Sequence, residues 1–232
     1  MISIIIPTYN EGMAIEKTLA QIKTISCREE KEIIVADGGS TDNTAEIASR
    51  YAKVLHSKKG KSNQLNDGAK HAKGKILFFV HADMFVPEGA LEAICNQLQE
   101  GFDGGGFANE FDAHNKKIKL IGTILNFRLL NKKEQSDRGI FYGDNGIFVK
   151  KEVFKKLGGF KEIPIMEDYD FSVRMKKQFK VKQIKFPKLI LSARRHVEAG
   201  FIKTRILWIL IREFYKWGVS PFRLAKWYVD VR

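Results

Sequence analysis

The feature that most constrains this fold is a short apolar run that ends in an acid. Residues 76–80 read Ile-Leu-Phe-Phe-Val, and His81 and Asp83 follow almost at once. A glycine and a proline bound the run, and five apolar residues are too few for a helix, so the run predicts a buried central strand. In an open α/β sheet, ligands bind beyond the carboxyl ends of the strands. Asp83 is therefore expected at the edge of a binding crevice.

His81 and Asp83 together suggest a metal site. These residues are two positions apart, so on a strand their side chains would point to the same face. One carboxylate and one imidazole suit a hard divalent cation whose remaining ligands come from a diphosphate. The alternative is that Asp83 only caps the turn before a helix that opens at Pro87. The stretch alone does not separate these two interpretations.

The segments before this run alternate between strand and helix patterns. Strands are predicted at 1–6, 32–36 and 54–55, each followed by a helix. This alternation predicts an α/β fold with a mostly parallel central sheet flanked by helices on both faces. The loops at 7–12 and 37–42 lead from strands into helix N-termini, an arrangement that binds anions and nucleotides. Lys61 opens the third helix, where it would meet a phosphate.

The second half of the chain is less regular. Residues 104–111 predict a glycine-weakened strand close to ligand or to other backbone. Residues 112–142 are basic, with a potential helix at 118–130, and we interpret them as an acceptor-side loop. A strand at 146–149 and a short helix at 152–157 follow.

An acidic cluster opens the next predicted helix, which should bury Phe171 and Met175. Glu167, Asp168 and Asp170 place three carboxylates within four residues. Acids in a first helical turn are favoured by the helix dipole, so a capping role is one interpretation. Three carboxylates exceed what a cap needs, and their crowding should raise at least one pKa, as a general base requires.

The net charge is the unusual part of the composition. The 232 residues carry 40 Lys and Arg against 27 Asp and Glu, a formal charge of +13. This excess fits a polyanionic partner, an anionic membrane or a solvated surface. The lysines are dispersed, with no recognition helix or base-stacking aromatic pattern, so the sequence disfavours a nucleic-acid partner.

Several features bear on location. Cys27 and Cys95 show no metal-binding spacing and are expected to be free thiols in a reducing compartment. The N-terminus runs directly into a strand, with no signal-peptide pattern, and no apolar run approaches the roughly 20 residues that span a bilayer. The expected location is the cytoplasm, with the inner face of the membrane as a second alternative.

The C-terminal segment, residues 201–217, predicts a basic amphipathic helix. Its apolar stripe is Leu207, Leu210, Ile211 and Phe214, widened by Trp208, Tyr215 and Trp217. Ser220 and Pro221 predict the N-cap and first residue of a last helix. The stripe suits a membrane interface, the domain itself or a second subunit equally, because each would bury the same residues.

Five motifs, in order along about the first 170 residues, resemble the family 2 glycosyltransferases with a GT-A fold. They are Pro7-Thr8-Tyr9-Asn10-Glu11, Asp37-Gly38-Gly39-Ser40-Thr41-Asp42, Asn66 with Gly68, His81-Ala82-Asp83, and Glu167-Asp168. Ser192-Ala193-Arg194-Arg195, Gly200 and Gly218-Val219-Ser220-Pro221 resemble a bacterial subgroup of that family.

The resemblance implies a role for each motif. The nucleotide pocket would be lined by Pro7, Tyr9, Glu11, Asp37, Gly38, Lys61 and Ala82, with Asp37 reading the base. Asp83 would bind Mn²⁺ or Mg²⁺ on the diphosphate. Asp168, beside Glu167, would be the catalytic base of a single displacement with inversion.

Two departures from the family pattern matter. His81 replaces the first acid of the commoner Asp-x-Asp motif, which leaves one carboxylate for the metal. His81 could ligate the metal, donate to ribose or phosphate, or belong only to the turn. Arg194-Arg195-His196 stands where processive synthases carry Gln-x-x-Arg-Trp, which argues against polymer synthesis, although Arg194 or Arg195 could still clamp a pyrophosphate.

The sequence therefore predicts a glycosyltransferase domain at 1–200 and an amphipathic helical tail at 201–232. It would use a nucleotide-diphosphate sugar, with a UDP-sugar expected, to add one sugar to an unidentified acceptor. A lipid-linked acceptor, a peripheral membrane contact through 201–217 and a homodimer stay open. The alternatives are a nucleotidyltransferase acting on sugar phosphates, which usually has a Gly-rich loop after its first strand, and a non-catalytic binder of anionic membrane or nucleic acid.

Overall fold

The computed structural model describes residues 1–112, 139–192 and 201–228. The strands are β1 (Ile2–Thr8), β2 (Lys31–Asp37), β3 (Lys53–His56), β4 (Ile76–Phe79), β5 (Met84–Phe85), β6 (Gly104–Asp112), β7 (Phe148–Lys150) and β8 (Val181–Ser192). The α-helices are α1 (Gly12–Thr24), α2 (Thr44–Ser49), α3 (Lys61–His71), α4 (Ala90–Gln99), α5 (Lys151–Lys156), α6 (Glu167–Gln178), α7 (Phe201–Lys216) and α8 (Pro221–Leu224).

The eight described strands form one sheet in the order β3-β2-β1-β4-β7-β6-β8-β5. Pairs β3–β2, β2–β1, β1–β4 and β6–β8 are parallel, whereas β7 is antiparallel to both of its neighbours and β5 is antiparallel to β8. The predicted α/β class is therefore confirmed. The continuous parallel part, β3-β2-β1-β4, lies in the N-terminal half, and β7 runs in the opposite direction beside β4.

The most deeply buried strand is β1, between β2 and β4. Its isoleucines are fully buried and alternate between two apolar layers. Ile4 and Ile6 pack in the layer that contains α1 and α4, whereas Ile5 packs in the layer of α3 and α6. Helices on both faces explain why this strand is a continuous apolar run.

The strand expected to end at Val80 is shorter than predicted. β4 ends at Phe79, and a turn in which Met84 N donates to His81 O leads into β5. The strand alternation that was to align His81 with Asp83 therefore does not apply. The following helix begins at Ala90 rather than Pro87, because Gly89 before it adopts a left-handed φ of 79°.

The first strand does not stop at Pro7, as expected, but continues to Thr8. Val80 N donates to Ile5 O, and Gly38 N donates to Thr8 O. Because alternate residues of a strand face opposite neighbours, Pro7 faces the β4 side, where β4 has already ended. The missing N–H of Pro7 therefore removes no bond from the sheet.

The longest strand, β8, was not predicted at all. Its sequence holds a proline and three lysines, which mask the strand pattern. Pro187 lies in a register shift, since Ile184 pairs with Phe107 and Leu189 already pairs with Asn109. The shift removes the proline from the regular ladder.

The C-terminal tail packs on the domain. Leu207, Ile211 and Phe214 of α7 join an apolar cluster with Ile165 and Tyr169. Leu210 was expected in this stripe but is 45% exposed. Pro221 is the first residue of α8, as predicted, whereas Ser220 makes no side-chain capping bond. No helix within the described ranges is long and apolar enough to span a bilayer.

Three consecutive glycines in β6 allow close approach of other chain segments, as the sequence indicated. A Cβ at Gly105 would lie 2.1 Å from the Lys182 carbonyl oxygen, and one at Gly106 would lie 2.7 Å from the Phe141 ring. β6 therefore needs glycine because β7 and β8 flank it and Phe141 covers it. The potential helix at 118–130 lies outside the described residues.

We expect Gly105→Ala to lower the free energy of unfolding by about 3 kcal/mol, because the added methyl must displace backbone. Gly158→Ala serves as the control: its Cβ would meet open space, but its φ of 72° costs about 1 kcal/mol. Urea unfolding of both variants measures the difference. Equal losses would contradict the close packing of β6.

Candidate active site

The Asp37 carboxylate organises the loop after β2. Asp37 Oδ2 accepts from the backbone N–H groups of Gly39 at 3.0 Å and Ser40 at 2.8 Å, while Oδ1 accepts from Ser40 Oγ at 2.5 Å and Thr8 Oγ1 at 3.1 Å. The side chain is buried. Asp37 therefore lies at the predicted strand end, but its oxygens hold the loop, and its reading of a base stays a prediction.

A second set of hydrogen bonds joins this loop to the one after β1. Asn10, with a φ of 53°, donates its N–H to Ser40 Oγ at 2.9 Å and accepts from Thr41 N–H at 2.9 Å. Glu11 donates its N–H to Thr44 Oγ1 at 2.8 Å. The two predicted nucleotide loops thus form one interlocked unit.

Gln64 of α3, which the sequence did not single out, supports both loops from below. Its Nε2 donates to Thr8 O at 2.6 Å and to Ala36 O at 2.9 Å. The Gln64 side chain also lies 3.1 Å from where a Cβ on Gly38 would be. Position 38 therefore suits a glycine, because the Gln64 side chain fills the space that a Cβ would enter. A lone glutamine in a polar helix carries no signal of such a role.

The other predicted pocket residues take different positions. Pro7 lines the cleft described below. Tyr9 is half-buried, and Lys59 Nζ lies 3.7 Å from its ring centroid. The Ala82 side chain is buried, and its carbonyl accepts from Thr18 Oγ1 at 2.7 Å.

A cleft beyond the carboxyl ends of β1 and β4 brings together three side chains of the predicted site around Gly143. A Cβ at Gly143 would lie 2.7 Å from His81 Nε2, 2.7 Å from Lys61 Nζ and 3.0 Å from Asp168 Oδ2. Only glycine leaves the ends of all three side chains this close together. His81, Lys61 and Asp168 were each predicted as site residues, whereas Gly143 was not.

Asp168 uses its two oxygens differently. Oδ1 accepts from Tyr169 N–H at 2.7 Å within the first turn of α6. Oδ2 accepts from Gly143 N–H at 2.6 Å and lies 3.5 Å from Lys61 Nζ. Oδ1 therefore binds the backbone at the helix start, as the capping interpretation predicts. Oδ2 faces the cleft, where the predicted function as a base would need it.

Glu167 forms the closest ion pair with Lys61, with Oε1 and Nζ 2.8 Å apart. Burial raises the pKa of Glu167; the Lys61 charge opposes this rise, and the Asp168 charge adds to it. The expected rise in pKa therefore falls on Glu167. Lys61 Nζ faces both carboxylates, and its predicted contact with a phosphate stays a prediction.

Asp170 has a structural role. Its Oδ1 accepts from Lys161 Nζ at 2.6 Å and from the Tyr215 hydroxyl at 3.3 Å, and its Oδ2 accepts from Arg174 Nε at 2.6 Å. Burial tends to raise the pKa of Asp170, but the hydrogen bonds and charges of Lys161 and Arg174 outweigh it and lower that pKa. The third acid of the cluster thus links α6 to its surroundings and to the tail.

The short turn that carries Gly143 is held from several sides. Asn145 donates to Phe107 O at 2.9 Å and accepts from Tyr142 N–H at 2.9 Å. The Tyr142 ring stacks on Tyr169, with centroids 5.8 Å apart, and its hydroxyl is hydrogen-bonded to Arg212 of α7. The tail therefore helps to position the N–H that binds Asp168. The sequence did not show this contact, because Tyr142 and Arg212 are 70 positions apart.

Asp83 differs from the other acids. It is half-buried, and none of the described residues donates a hydrogen bond to its carboxylate or pairs with it. Because it binds no helix N-terminus, the capping alternative has no support. No group of three His, Cys, Asp or Glu residues in the described part of the chain could hold a metal ion. The single Asp83 carboxylate fits a cation that takes most of its ligands from a diphosphate.

Arg194 and Arg195 lie outside the described residues. Their predicted contact with a pyrophosphate stays a prediction.

Comparison with known proteins decides the family. Residues 3–158 match the family model described as Glycosyl transferase family 2. The chain belongs to glycosyl transferase family 2. The resemblance read from the five motifs is thereby confirmed, while the role of each motif residue stays a prediction.

Curated relatives of this family 2 member include synthases of a polysaccharide. The poly-beta-1,6-N-acetyl-D-glucosamine synthase of Staphylococcus epidermidis is 27% identical over 236 residues, which cover 92% of this chain and 56% of the relative. The enzyme of the same name from Staphylococcus aureus strain COL is 28% identical over 235 residues, with the same coverage. The chain thus spans little more than half the length of these relatives.

Solved structures confirm the GT-A fold of this family 2 member. Residues 1–349 of S. aureus TarS superpose with a TM-score of 0.65 at 18% identity, covering 83% of this chain and 60% of that one. The mannosyltransferase PcManGT from Pyrobaculum calidifontis, in complex with GDP-Man and Mn²⁺, superposes with a TM-score of 0.60 at 22% identity, covering 82% and 56%.

We expect the buried Glu167 to make stability depend on pH. Its pKa is raised on folding from an ordinary value of 4.5, so its contribution is fully present below pH 4.5 and is lost as pH rises toward the folded pKa. The free energy of unfolding of the wild type should therefore fall relative to Glu167→Gln as pH rises above 4.5. Urea unfolding across this range measures the difference.

Lys61→Met provides the second variant for this measurement. Since the Lys61 charge opposes the rise in the Glu167 pKa, its removal should extend the loss of stability to higher pH. Parallel pH curves for the wild type and Glu167→Gln would contradict a raised pKa of Glu167.

Proposed function

We propose that this family 2 member is an inverting glycosyltransferase that uses a nucleotide-diphosphate sugar. The observation that carries the proposal is the position of Asp168. Its carboxylate lies at the cleft beyond the strand ends, with one oxygen held by Gly143 N–H and near Lys61 Nζ. A fixed carboxylate at the ligand edge of an α/β sheet suits a general base.

The donor would bind at the interlocked loops after β1 and β2. Pro7, Tyr9, Glu11, Asp37 and Gly38 lie on these loops or at the strand ends that lead into them. A structural neighbour, S. aureus TarS 1-349, is described in complex with UDP-GlcNAc. A UDP-sugar is accordingly the donor that we propose.

The transfer would be a single displacement. The acceptor hydroxyl oxygen attacks the anomeric carbon and forms the new glycosidic bond, while the bond from that carbon to the phosphate oxygen breaks on the opposite face. Asp168 takes the hydroxyl proton, and the electron pair of the broken bond leaves with the nucleoside diphosphate. No covalent intermediate on the protein is needed.

Asp83 would hold a divalent cation, Mn²⁺ or Mg²⁺, with His81 as a potential second contact. Such a cation neutralises charge that develops on the departing diphosphate. The unpaired Asp83 carboxylate among the described residues supports this assignment. Lys61, which lines the cleft, would add a fixed positive charge.

We propose addition of one sugar rather than a polymer, because Gln and Trp of the processive motif are missing around Arg194 and Arg195. Either arginine would contact the pyrophosphate or the acceptor. The acceptor is unassigned, with a lipid-linked one as an alternative, and we place the enzyme in the cytoplasm.

We expect Asp168→Asn to lower the rate of sugar transfer by about 10²–10⁴-fold while leaving donor affinity nearly unchanged, because the amide cannot accept the proton. Steady-state transfer and calorimetric donor binding measure the two quantities. Asp103→Asn is the matched control, since Asp103 pairs with Lys150 outside the cleft. Full turnover of Asp168→Asn would remove Asp168 from the role of base.

We expect UDP to bind more tightly in the presence of Mn²⁺, and Asp83→Ala to remove that dependence on the metal. Calorimetric titration of UDP and GDP into the full chain, with and without Mn²⁺, measures it. Glu30→Ala, which deletes an exposed carboxylate, is the control. Failure of both nucleotides to bind under any metal condition would contradict the donor assignment.

A further inference from the structure

The C-terminal tail exposes apolar side chains on a face that does not touch the domain. Five of the eight large apolar side chains that are exposed in the described residues lie between positions 206 and 227. This exposed tail surface consists of Ile206, Leu210, Trp217, Phe222 and Trp227. The adjacent face of α7, with Leu207, Ile211 and Phe214, packs on the domain. The tail is therefore apolar on two sides, and only one side is used by the fold.

The members of this surface lie close together. Ile206 and Leu210 are four residues apart, which places them on one face of α7, and Trp217 directly follows the last residue of that helix. Phe214 lies between Trp217 and Trp227, with ring centroids 5.4 and 5.3 Å away. The surface therefore continues from α7 across the turn that follows it to Trp227.

Basic side chains alternate with these aromatic ones. Lys216 precedes Trp217, Arg223 follows Phe222, and Lys226 precedes Trp227; all three basic residues are exposed. Residues 201–232 hold seven Lys and Arg against two Asp and Glu. An aromatic surface with a positive rim is complementary to anionic lipid headgroups above an apolar layer.

The aromatic composition of the tail also favours contact with lipid. All three tryptophans of the chain, at 208, 217 and 227, lie in the tail. Tryptophan prefers the interface between water and lipid, because its ring is apolar and its N–H is polar. Two of the three belong to the exposed tail surface, and Trp208 packs against Tyr228 at 4.9 Å.

We propose that the exposed tail surface binds the surface of an anionic lipid bilayer. A second copy of the chain fits less well. In a twofold contact each copy presents the same patch, so the basic groups at 216, 223 and 226 would approach their own counterparts. The proposal concerns peripheral contact and does not rest on the proposed function.

The test uses the full chain with vesicles of phosphatidylcholine alone and of an equimolar mixture with phosphatidylglycerol. Cosedimentation measures binding. Because tryptophan occurs only in the tail, a blue shift of its fluorescence reports entry of this segment into the interface. We expect both signals with the anionic vesicles only, and we expect added salt to reduce them.

Two pairs of variants test the surface. Trp217→Ser with Trp227→Ser should lower cosedimentation at least about tenfold, while Met13→Ser with Phe186→Ser, which removes exposed apolar side chains elsewhere, should leave it unchanged. Arg223→Glu with Lys226→Glu should abolish binding, while Lys70→Glu with Lys177→Glu changes the net charge equally at exposed sites outside the tail. Thermal unfolding confirms that each variant is folded.

Three outcomes would overturn the proposal. The first is vesicle binding that survives both tail variants. The second is an equal loss of binding in the tail variants and their controls, which would show a general effect of net charge. The third is a dimer, seen by analytical ultracentrifugation, that the tryptophan variants convert to monomer without any vesicle binding by the wild type.

Discussion

The arrangement of the cleft depends on one ammonium group between two carboxylates. Lys61 opens α3, and Glu167 and Asp168 open α6, so this contact joins two helices whose first residues are 106 positions apart in the chain. Glu167 is almost completely buried, and a buried carboxylate without a partner would be strongly destabilising. Lys61 therefore keeps Glu167 in place, and Glu167 keeps its neighbour Asp168 at the mouth of the cleft. The position of the proposed base follows from a stability requirement of the adjacent residue.

The tail takes part in the same arrangement. Tyr215 contacts Asp170 and Arg212 contacts Tyr142, so α7 touches residues on both sides of Asp168. The sequence predicted a helical appendage at 201–232 and left open whether its apolar stripe packs on the domain. In the structure the tail completes the support of the Gly143 turn. The exposed tail surface would therefore be connected to the cleft by two hydrogen bonds, from Tyr215 to Asp170 and between Arg212 and Tyr142.

The sequence predicted what depends on local pattern. Strand ends followed by polar loops located Asp37 and Asp83, an acidic cluster at a helix start located Asp168, and the helix at 167 was predicted with its buried Phe171. It could not predict what depends on distant contacts. Gly143 matters because three side chains from separate elements meet there, and Gln64 matters because two carbonyls lie above it. β8 was missed because its proline is accommodated by a register shift that only pairing with β6 reveals.

Charge in the cleft gives a physical reason to expect a cation with the donor. Asp168 brings a negative charge to the cleft, and the positive charge of Lys61 beside it is already paired with Glu167 at 2.8 Å. A diphosphate that entered this site alone would meet net repulsion from the described residues. The raised pKa of Glu167 eases this repulsion when the group is protonated, since Lys61 is then released from its closest charged partner. A divalent cation at Asp83 and a Lys61 that turns from Glu167 to phosphate would together reverse the sign of the site. In that case binding of the donor and the protonation state of Glu167 are linked.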